Sequence, residues 1–201
     1  LGPEVNLKEF GLGEWEQFLF VNFIANSDKP FQNIVEEMVP IFENISLKEL
    51  QRIPHTQENR IVNGNWKQYV MNFLDSFHLA FIHPGPGGLV DMIDMPTYTT
   101  ECGKNILLQW VYTKNPEHGI PLDLVPDRLK HEEKRIFALY CFVFPNMAFN
   151  LYPWGLGAYM WMPTDNPLKT NYYWYQYMLD EEKFQKRNEI WLAQMVNDDD
   201  V

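Results

Sequence analysis

Two histidines five positions apart are the residues in this 201-residue chain most suited to chemistry. His78 and His83 close an apolar segment, and Asp75 precedes the first of them by three positions. Neutral imidazoles are common metal ligands, and a carboxylate that accepts the second ring N–H of a histidine fixes its tautomer and orientation. The pattern predicts a metal site with His78 and His83 as ligands and Asp75 orienting His78.

The spacing of the two histidines constrains the helix that should carry them. Five residues of an ideal helix leave the two side chains about 140° apart, so both rings reach one ion only if the helix loosens between them. The segment from Pro84 to Gly88 ends the helix and favours such a break. A single histidine on an apolar helix face is more often a hydrogen-bonded core residue, and the second histidine with Asp75 favours the metal.

A third ligand would complete a site of known chemistry. Two histidines and one carboxylate leave part of the coordination sphere open, and non-haem Fe(II) uses this arrangement to activate oxygen. Asp199 and Asp200 lie on two different stripes of the last predicted helix, and periodicity does not choose between them. The alternative is a solvated acidic chain end without a ligand role.

Composition narrows the function classes. The net charge is −11 and no Lys/Arg cluster is present, which argues against nucleic acid as a partner. No apolar run reaches the roughly 18–20 residues that span a bilayer, and the first residues lack the features of a signal peptide, so we expect a cytoplasmic protein. Cys102 and Cys141 have no metal-ligand spacing and are expected to be buried, reduced thiols.

Aromatic residues make up 15% of the chain and suggest an apolar cavity walled by rings. Candidates for the wall are Phe77, Phe149 and Trp154, although each residue type is equally typical of a plain core.

Hydrophobic periodicity predicts an α+β fold in one main domain. A helix should run from Asn65 to the Gly/Pro segment, because apolar residues recur at spacings of three and four. The remaining predictions are a strand over 16–24, a helical segment over 31–43, a short helix over 47–52, antiparallel strands within 97–113, 135–151, 156–162 and 171–179, and an amphipathic helix over 180–196.

Several motifs resemble one known family. Asn65-Trp66-Lys67, the run from Asn72 to His78, and His83-Pro84 resemble the catalytic domain of Rieske-type ring-hydroxylating oxygenase α subunits. Phe20-Val21-Asn22 resembles the strand that follows the Rieske domain in that family. Phe144-Pro145-Asn146 and the segment 152–156 resemble in particular the branch with choline-monooxygenase-like enzymes.

The resemblance implies a helix-grip (START/SRPBCC-like) fold, in which a curved antiparallel sheet packs around a long C-terminal helix. It implies that His78, His83 and Asp200 bind a mononuclear Fe(II), with Asp199 as the alternative third ligand. Asp75 would be the bridging acid that helps to pass electrons to this iron.

The resemblance also implies a [2Fe–2S] Rieske cluster, whose two Cys and two His ligands this chain does not supply. We therefore expect a Rieske domain before Leu1, a segment 1–45 that follows it, and an iron-binding catalytic domain over 46–201 that is truncated at its C-terminus. The implied partners are a small organic substrate, O2, and a ferredoxin or reductase that relays electrons from NAD(P)H, with a homotrimer as the assembly.

The expected activity is hydroxylation or N-demethylation of a small aromatic or amine substrate, by mono- or dioxygenation. A cationic substrate would suit the faces of Tyr152, Trp154, Tyr159 and Trp161. Two alternatives are a non-catalytic helix-grip module that binds an apolar ligand and a zinc hydrolase. The absence of a His-Glu-x-x-His motif counts against the hydrolase.

Overall fold

The computed structural model describes residues 10–23, 29–53, 58–82 and 89–187. The first described element is an antiparallel hairpin of β1 (Gly11–Trp15) and β2 (Phe18–Asn22). One strand was predicted over 16–24. In the structure Glu16 and Gln17 form the turn of the hairpin, with Glu16 at a φ of 55°, and the strand β1 before this turn was missed. The helix α1 (Lys29–Met38) and a 3-10 turn at Leu47–Glu49 follow, close to their predicted places.

An eight-stranded antiparallel sheet forms the body of the molecule and confirms the predicted α+β class. Its strands are β3 (Gln51–Arg52), β4 (Glu58–Asn63), β5 (Thr99–Cys102), β6 (Ile106–Tyr112), β7 (Ile136–Val143), β8 (Met147–Tyr152), β9 (Gly155–Pro163) and β10 (Lys169–Met178). The strand order is β3-β10-β9-β8-β7-β6-β5. Strands β3 and β4 both pair with the outer edge of β10, β3 near its end and β4 near its beginning.

Three short helices connect β4 to β5: α2 (Trp66–Leu74), α3 (Leu79–Ile82) and α4 (Leu89–Met92). The prediction of one helix from Asn65 to the Gly/Pro segment was wrong. Asp75 has an extended backbone (φ −85°, ψ 120°), and its Oδ1 accepts the N–H of Phe77 at 2.9 Å. This side-chain bond to the local backbone competes with helix continuation, so the helix stops at Leu74.

Side chains on the two faces of the sheet enter different clusters, as alternation along a strand requires. In the buried strand β7, Leu139 and Cys141 pack with the hairpin and α1, whereas Tyr140 faces the region of α2–α4. The cluster that contains Leu139 and Cys141 includes residues of the segment 1–45, such as Trp15, and residues that follow it, such as Leu47.

The described part of the predicted C-terminal helix is α5, residues 181–187. Cys141 is buried, and burial raises the pKa of its thiol to about 12. Cys102 is exposed, against expectation, because β5 is an edge strand whose four residues all face solvent. No helix in the described ranges has the length and apolar character needed to cross a bilayer.

Candidate active site

The Asn65-Trp66-Lys67 motif opens α2, and its asparagine caps the helix. Asn65 Oδ1 accepts the N–H of Lys67 at 3.0 Å, and the N–H of Asn65 donates to Gln68 Oε1 at 3.2 Å. Reciprocal bonds of this kind satisfy helix donors that have no partner within the helix. Asn65 Nδ2 also donates to the carbonyl of Pro167 at 2.9 Å, which attaches the start of α2 to the loop between β9 and β10.

The turn between α2 and α3 carries two of the predicted site residues. The His78 carbonyl accepts the N–H of Ile82 at 2.8 Å, so His78 stands at the start of α3. Its Nδ1 lies 3.7 Å from Asp75 Oδ2, a distance longer than a hydrogen bond. The two residues therefore lie close together, but across a turn and not along one helix face as the spacing predicted.

Asp75 and His78 differ in exposure. The His78 side chain is 18% exposed and that of Asp75 is 46% exposed. A shielded imidazole beside a more accessible carboxylate fits one ligand of a non-haem iron site with its orienting acid.

The other predicted ligands, His83, Asp200 and the alternative Asp199, lie outside the described residues. Among the residues that the structure does describe, no group of three or more His, Cys, Asp or Glu side chains is arranged to hold a metal ion. The fit to iron therefore depends on the pair of Asp75 and His78.

A buried glutamine that the sequence analysis missed holds the end of α2. Gln109 in β6 is 3% exposed, and its Nε2 donates to the carbonyl of Leu74 at 3.0 Å and to Thr100 Oγ1 at 3.2 Å. The hydroxyl of Tyr98 donates to Gln109 Oε1 at 3.2 Å. Since Leu74 directly precedes Asp75, the sheet fixes where the turn begins. A polar residue within the apolar run of β6 was the available clue.

Aromatic rings fill the space between the sheet and α5. Tyr152 stacks on Trp154 with ring centroids 4.7 Å apart, and Tyr159 stacks on Trp174 at 6.0 Å. The guanidinium carbon of Arg187 in α5 lies 5.8 Å from the ring centre of Trp154 and 6.0 Å from that of Trp174. These five side chains are called the aromatic interior below.

Only one of the three predicted wall residues lies there. Trp154 belongs to the aromatic interior, whereas Phe77 is 82% exposed on the turn. Phe149 is fully buried on the other side of the sheet, with its ring 5.0 Å from that of Phe18. Both are corrections: Phe77 follows the break in the helix, and Phe149 alternates away from the interior along β8.

Residues 42–201 match the family model described as "Ring hydroxylating alpha subunit (catalytic domain)". The chain belongs to this oxygenase family. Over 97 residues this catalytic domain is 34% identical to the chloroplastic choline monooxygenase of Arabidopsis thaliana, a match that covers 46% of the chain and 20% of that protein.

Solved structures of Rieske oxygenases share the fold of this ring-hydroxylating catalytic domain. The quaternary ammonium Rieske monooxygenase CntA, bound to an inhibitor, superposes with a TM-score of 0.66 at 17% identity, over 90% of this chain and 45% of that one. Naphthalene 1,2-dioxygenase with bound indole superposes with a TM-score of 0.55 at 16% identity, over 88% and 46%. These likenesses confirm the predicted helix-grip fold, and this chain spans less than half of either structure.

Proposed function

We propose that this catalytic domain binds a mononuclear Fe(II) through His78, His83 and Asp200, with Asp199 as the alternative third ligand. In the whole protein it would use O2 to hydroxylate or N-demethylate a small aromatic or amine substrate. The observation that carries the proposal is the 3.7 Å contact between His78 Nδ1 and Asp75 Oδ2 within the family motif.

Each residue of the pair has a distinct task in this proposal. Fe(II) bound by two imidazoles and a carboxylate would supply the activation of oxygen. Asp75 faces Nδ1 of His78, and it would accept the proton of that nitrogen when Nε2 binds the metal. Gln109 holds the carbonyl of Leu74 and so sets the position from which Asp75 projects.

The electron supply belongs to the whole protein. We propose a Rieske domain with its [2Fe–2S] cluster before residue 1, the segment 1–45 after it, and the catalytic domain over 46–201. NAD(P)H would be the electron source, through a ferredoxin or reductase. A second structure of a quaternary ammonium Rieske monooxygenase is described as giving insight into inter-subunit electron transfer in that enzyme.

A homotrimer would bring a neighbour's cluster to Asp75. The surface around this residue supports such a contact, since Phe77 is 82% exposed, Phe81 is 78% exposed and Met71 is 69% exposed. Apolar side chains grouped on a surface in this way often mark a protein interface.

Iron content tests the proposed site directly. After anaerobic reconstitution of the 201-residue chain with Fe(II), we expect about one iron per chain, and none in His78→Ala or His83→Ala because each removes a ligand. His118→Ala is the matched control, since His118 is an exposed histidine in another loop. Iron is measured by mass spectrometry after removal of unbound metal.

Two further pairs of outcomes separate the alternatives. Asp75→Asn should keep iron in the chain and slow electron delivery in the whole oxygenase. Ala at Asp199 and at Asp200 should differ in iron content, with the larger loss identifying the ligand. A chain that takes up no iron, or that keeps it in both histidine variants, would favour the non-catalytic module that binds an apolar ligand.

A further inference from the structure

We propose that the outward side of the β1–β2 hairpin is the docking surface for the domain that precedes residue 1 in the whole protein. Five apolar side chains form this surface, which is called the outer hairpin face below: Phe10, Leu12, Leu19, Val21 and Phe23. The inference rests on the proposed function for the existence of that domain, and it adds the surface on which the domain packs.

The strand register places these side chains on one side of the hairpin. Leu12 pairs with Val21, and two positions further along each strand Phe10 and Phe23 meet edge to face, with ring centroids 5.4 Å apart. Leu19 lies on the same side because side chains alternate along a strand. In the described structure the five side chains are between 47% and 75% exposed. A contiguous apolar surface of this kind marks a site of contact with another protein unit.

The inner side of the same hairpin is already packed on the sheet. The rings of Trp15 and Phe18 contact that of Phe149, at centroid distances of 5.8 and 5.0 Å. The turn is attached as well, since Gln17 Nε2 donates to the carbonyl of Leu47 at 2.6 Å. The hairpin is therefore held firmly from one side, and it presents its outer face in one fixed orientation.

The second strand has the composition of a strand that is buried on both sides. Residues 18–21 are Phe, Leu, Phe and Val, an unbroken apolar run. A strand with one side in water alternates apolar and polar residues, whereas strands covered on both sides have continuous apolar runs. Among the described residues the hairpin is covered on its inner side alone, so its sequence predicts a second layer on the outer hairpin face.

The size of the outer hairpin face favours a linked domain over a separate molecule. Two five-residue strands about 4.8 Å apart, with a rise of about 3.4 Å per residue, give a face on the order of 200 Å². Stable contacts between separate proteins bury about 800 Å² on each partner. A covalent link raises the effective concentration to about the millimolar range, so a linked domain can occupy a face too small to hold a second copy of the chain.

The position of the hairpin in the chain indicates which domain is linked. The hairpin lies before residue 42, where the match to the catalytic-domain model begins. The nine residues before Phe10 span at most about 30 Å when fully extended. This chain covers only 45% and 46% of the two superposed oxygenases, which therefore contain at least as much chain again. A domain that ends at residue 1 thus lies within reach of the outer hairpin face.

Thiol labelling tests the docking surface in the 201-residue chain and in the whole protein. Leu19→Cys is made together with Cys102→Ser, which removes the exposed native thiol, while Cys141 is buried. Reaction with a maleimide is followed by mass spectrometry. We expect labelling at least about tenfold slower in the whole protein than in the chain, because a packed side chain reacts only when the contact opens.

A matched site and a charge variant assign the protection to this face. Ile61→Cys in the same background is the control, since Ile61 is 65% exposed in β4, and its labelling rates should agree within about twofold. Adding Leu12→Lys to Leu19→Cys should restore fast labelling in the whole protein, because burying an unpaired charge opposes docking. Leu168→Lys, at a residue that is 71% exposed in the loop between β9 and β10, should leave the protection intact.

Several results would overturn the docking surface. They are equal labelling of Leu19→Cys in the two forms, protection that survives Leu12→Lys, and slow labelling in the 201-residue chain itself. In the last case sedimentation would assign the cover to a second copy if the chain is a dimer, and to another segment of the same chain if it is a monomer. Protection that is lost on dilution would assign the cover to a neighbouring subunit, since a linked contact does not depend on concentration.

The absorbance of a [2Fe–2S] cluster separates these results from the proposed function. A whole protein that protects Leu19→Cys and binds no cluster would keep the docking surface and refute the proposed electron supply. A whole protein that binds the cluster and leaves Leu19→Cys unprotected would refute the docking surface alone. A whole protein without a domain before residue 1 would refute both.

Discussion

The two faces of the sheet are covered in different ways. On one face, the hairpin and α1 pack on fully buried side chains such as Leu139 and Phe149. On the other face, α3 and α4 have only four residues each, and large apolar side chains such as Phe77 and Phe81 remain exposed. One face is a continuous core, and the other is an assembly of short segments.

The difference separates the source of stability from the source of function. Close packing on the first face provides the free energy that holds the sheet. In the proposed function the second face leaves room for a metal and a substrate, and its segments are held at a few points by polar side chains. Asn65 fixes the start of α2, and Gln109 fixes its end. Changes on the first face should mainly alter stability, and changes at these points should also alter the site.

The largest expected effect is on the packed face. Phe149→Ala removes a ring that is fully buried against Trp15 and Phe18, at centroid distances of 5.8 and 5.0 Å. We expect a loss of roughly 3–5 kcal/mol in the free energy of unfolding, measured by urea denaturation. Phe77→Ala on the exposed turn is the control and should change it by less than about 0.5 kcal/mol. Similar losses in both variants would contradict the contrast between the faces.

An intermediate effect is expected at the end of α2. Gln109→Leu leaves the carbonyl of Leu74 and the hydroxyl of Tyr98 without their partner. The unfolding free energy should fall by about 1–3 kcal/mol. The affinity of the chain for Fe(II) should fall as well, because the turn of Asp75 and His78 loses its attachment to the sheet.

A buried glutamine elsewhere provides the comparison for that variant. Gln176→Leu alters a residue of β10 that is 8% exposed and that, in the described part of the chain, has no hydrogen bond to the turn of Asp75 and His78. It should leave Fe(II) affinity unchanged. If Gln109→Leu were destabilising yet kept the iron affinity of the unmodified chain, Gln109 would be a structural residue without a positioning role.

Local pattern explains which elements the sequence could predict. The strands β6 and β7 are rich in β-branched and aromatic residues and lie within the predicted segments. Strand β4 was missed because most of its residues, such as Glu58 and Arg60, are polar, and its pairing with β10 supplies the reason for its conformation. That partner is more than a hundred residues away, so no local pattern could reveal it.

In the site, too, local contacts could be predicted from the sequence and contacts with distant residues could not. The contact between Asp75 and His78 could be predicted because it spans three residues. The break in the helix could not, since the apolar spacing of Phe73, Phe77 and Phe81 continues through it while the Asp75 side chain bonds to the backbone. Gln109 was missed because its partner Leu74 is 35 positions away.

The smallest expected effect is at the start of α2. Asn65→Ala removes the cap that accepts the N–H of Lys67 and the bond to Pro167, and should lower the unfolding free energy by about 1 kcal/mol. Asn72→Ala at an exposed position in the last turn of the helix is the control and should not destabilise, because alanine is the better helix former.

The two ends of α2 should also differ in their effect on metal. Loss of the Asn65 cap frays the first turn of a nine-residue helix, while Gln109 still holds Leu74 at its other end. We therefore expect Asn65→Ala to weaken Fe(II) binding less than Gln109→Leu does, in the same titration. A larger loss of affinity in Asn65→Ala would mean that the whole helix, and not its attachment beside Asp75, positions His78.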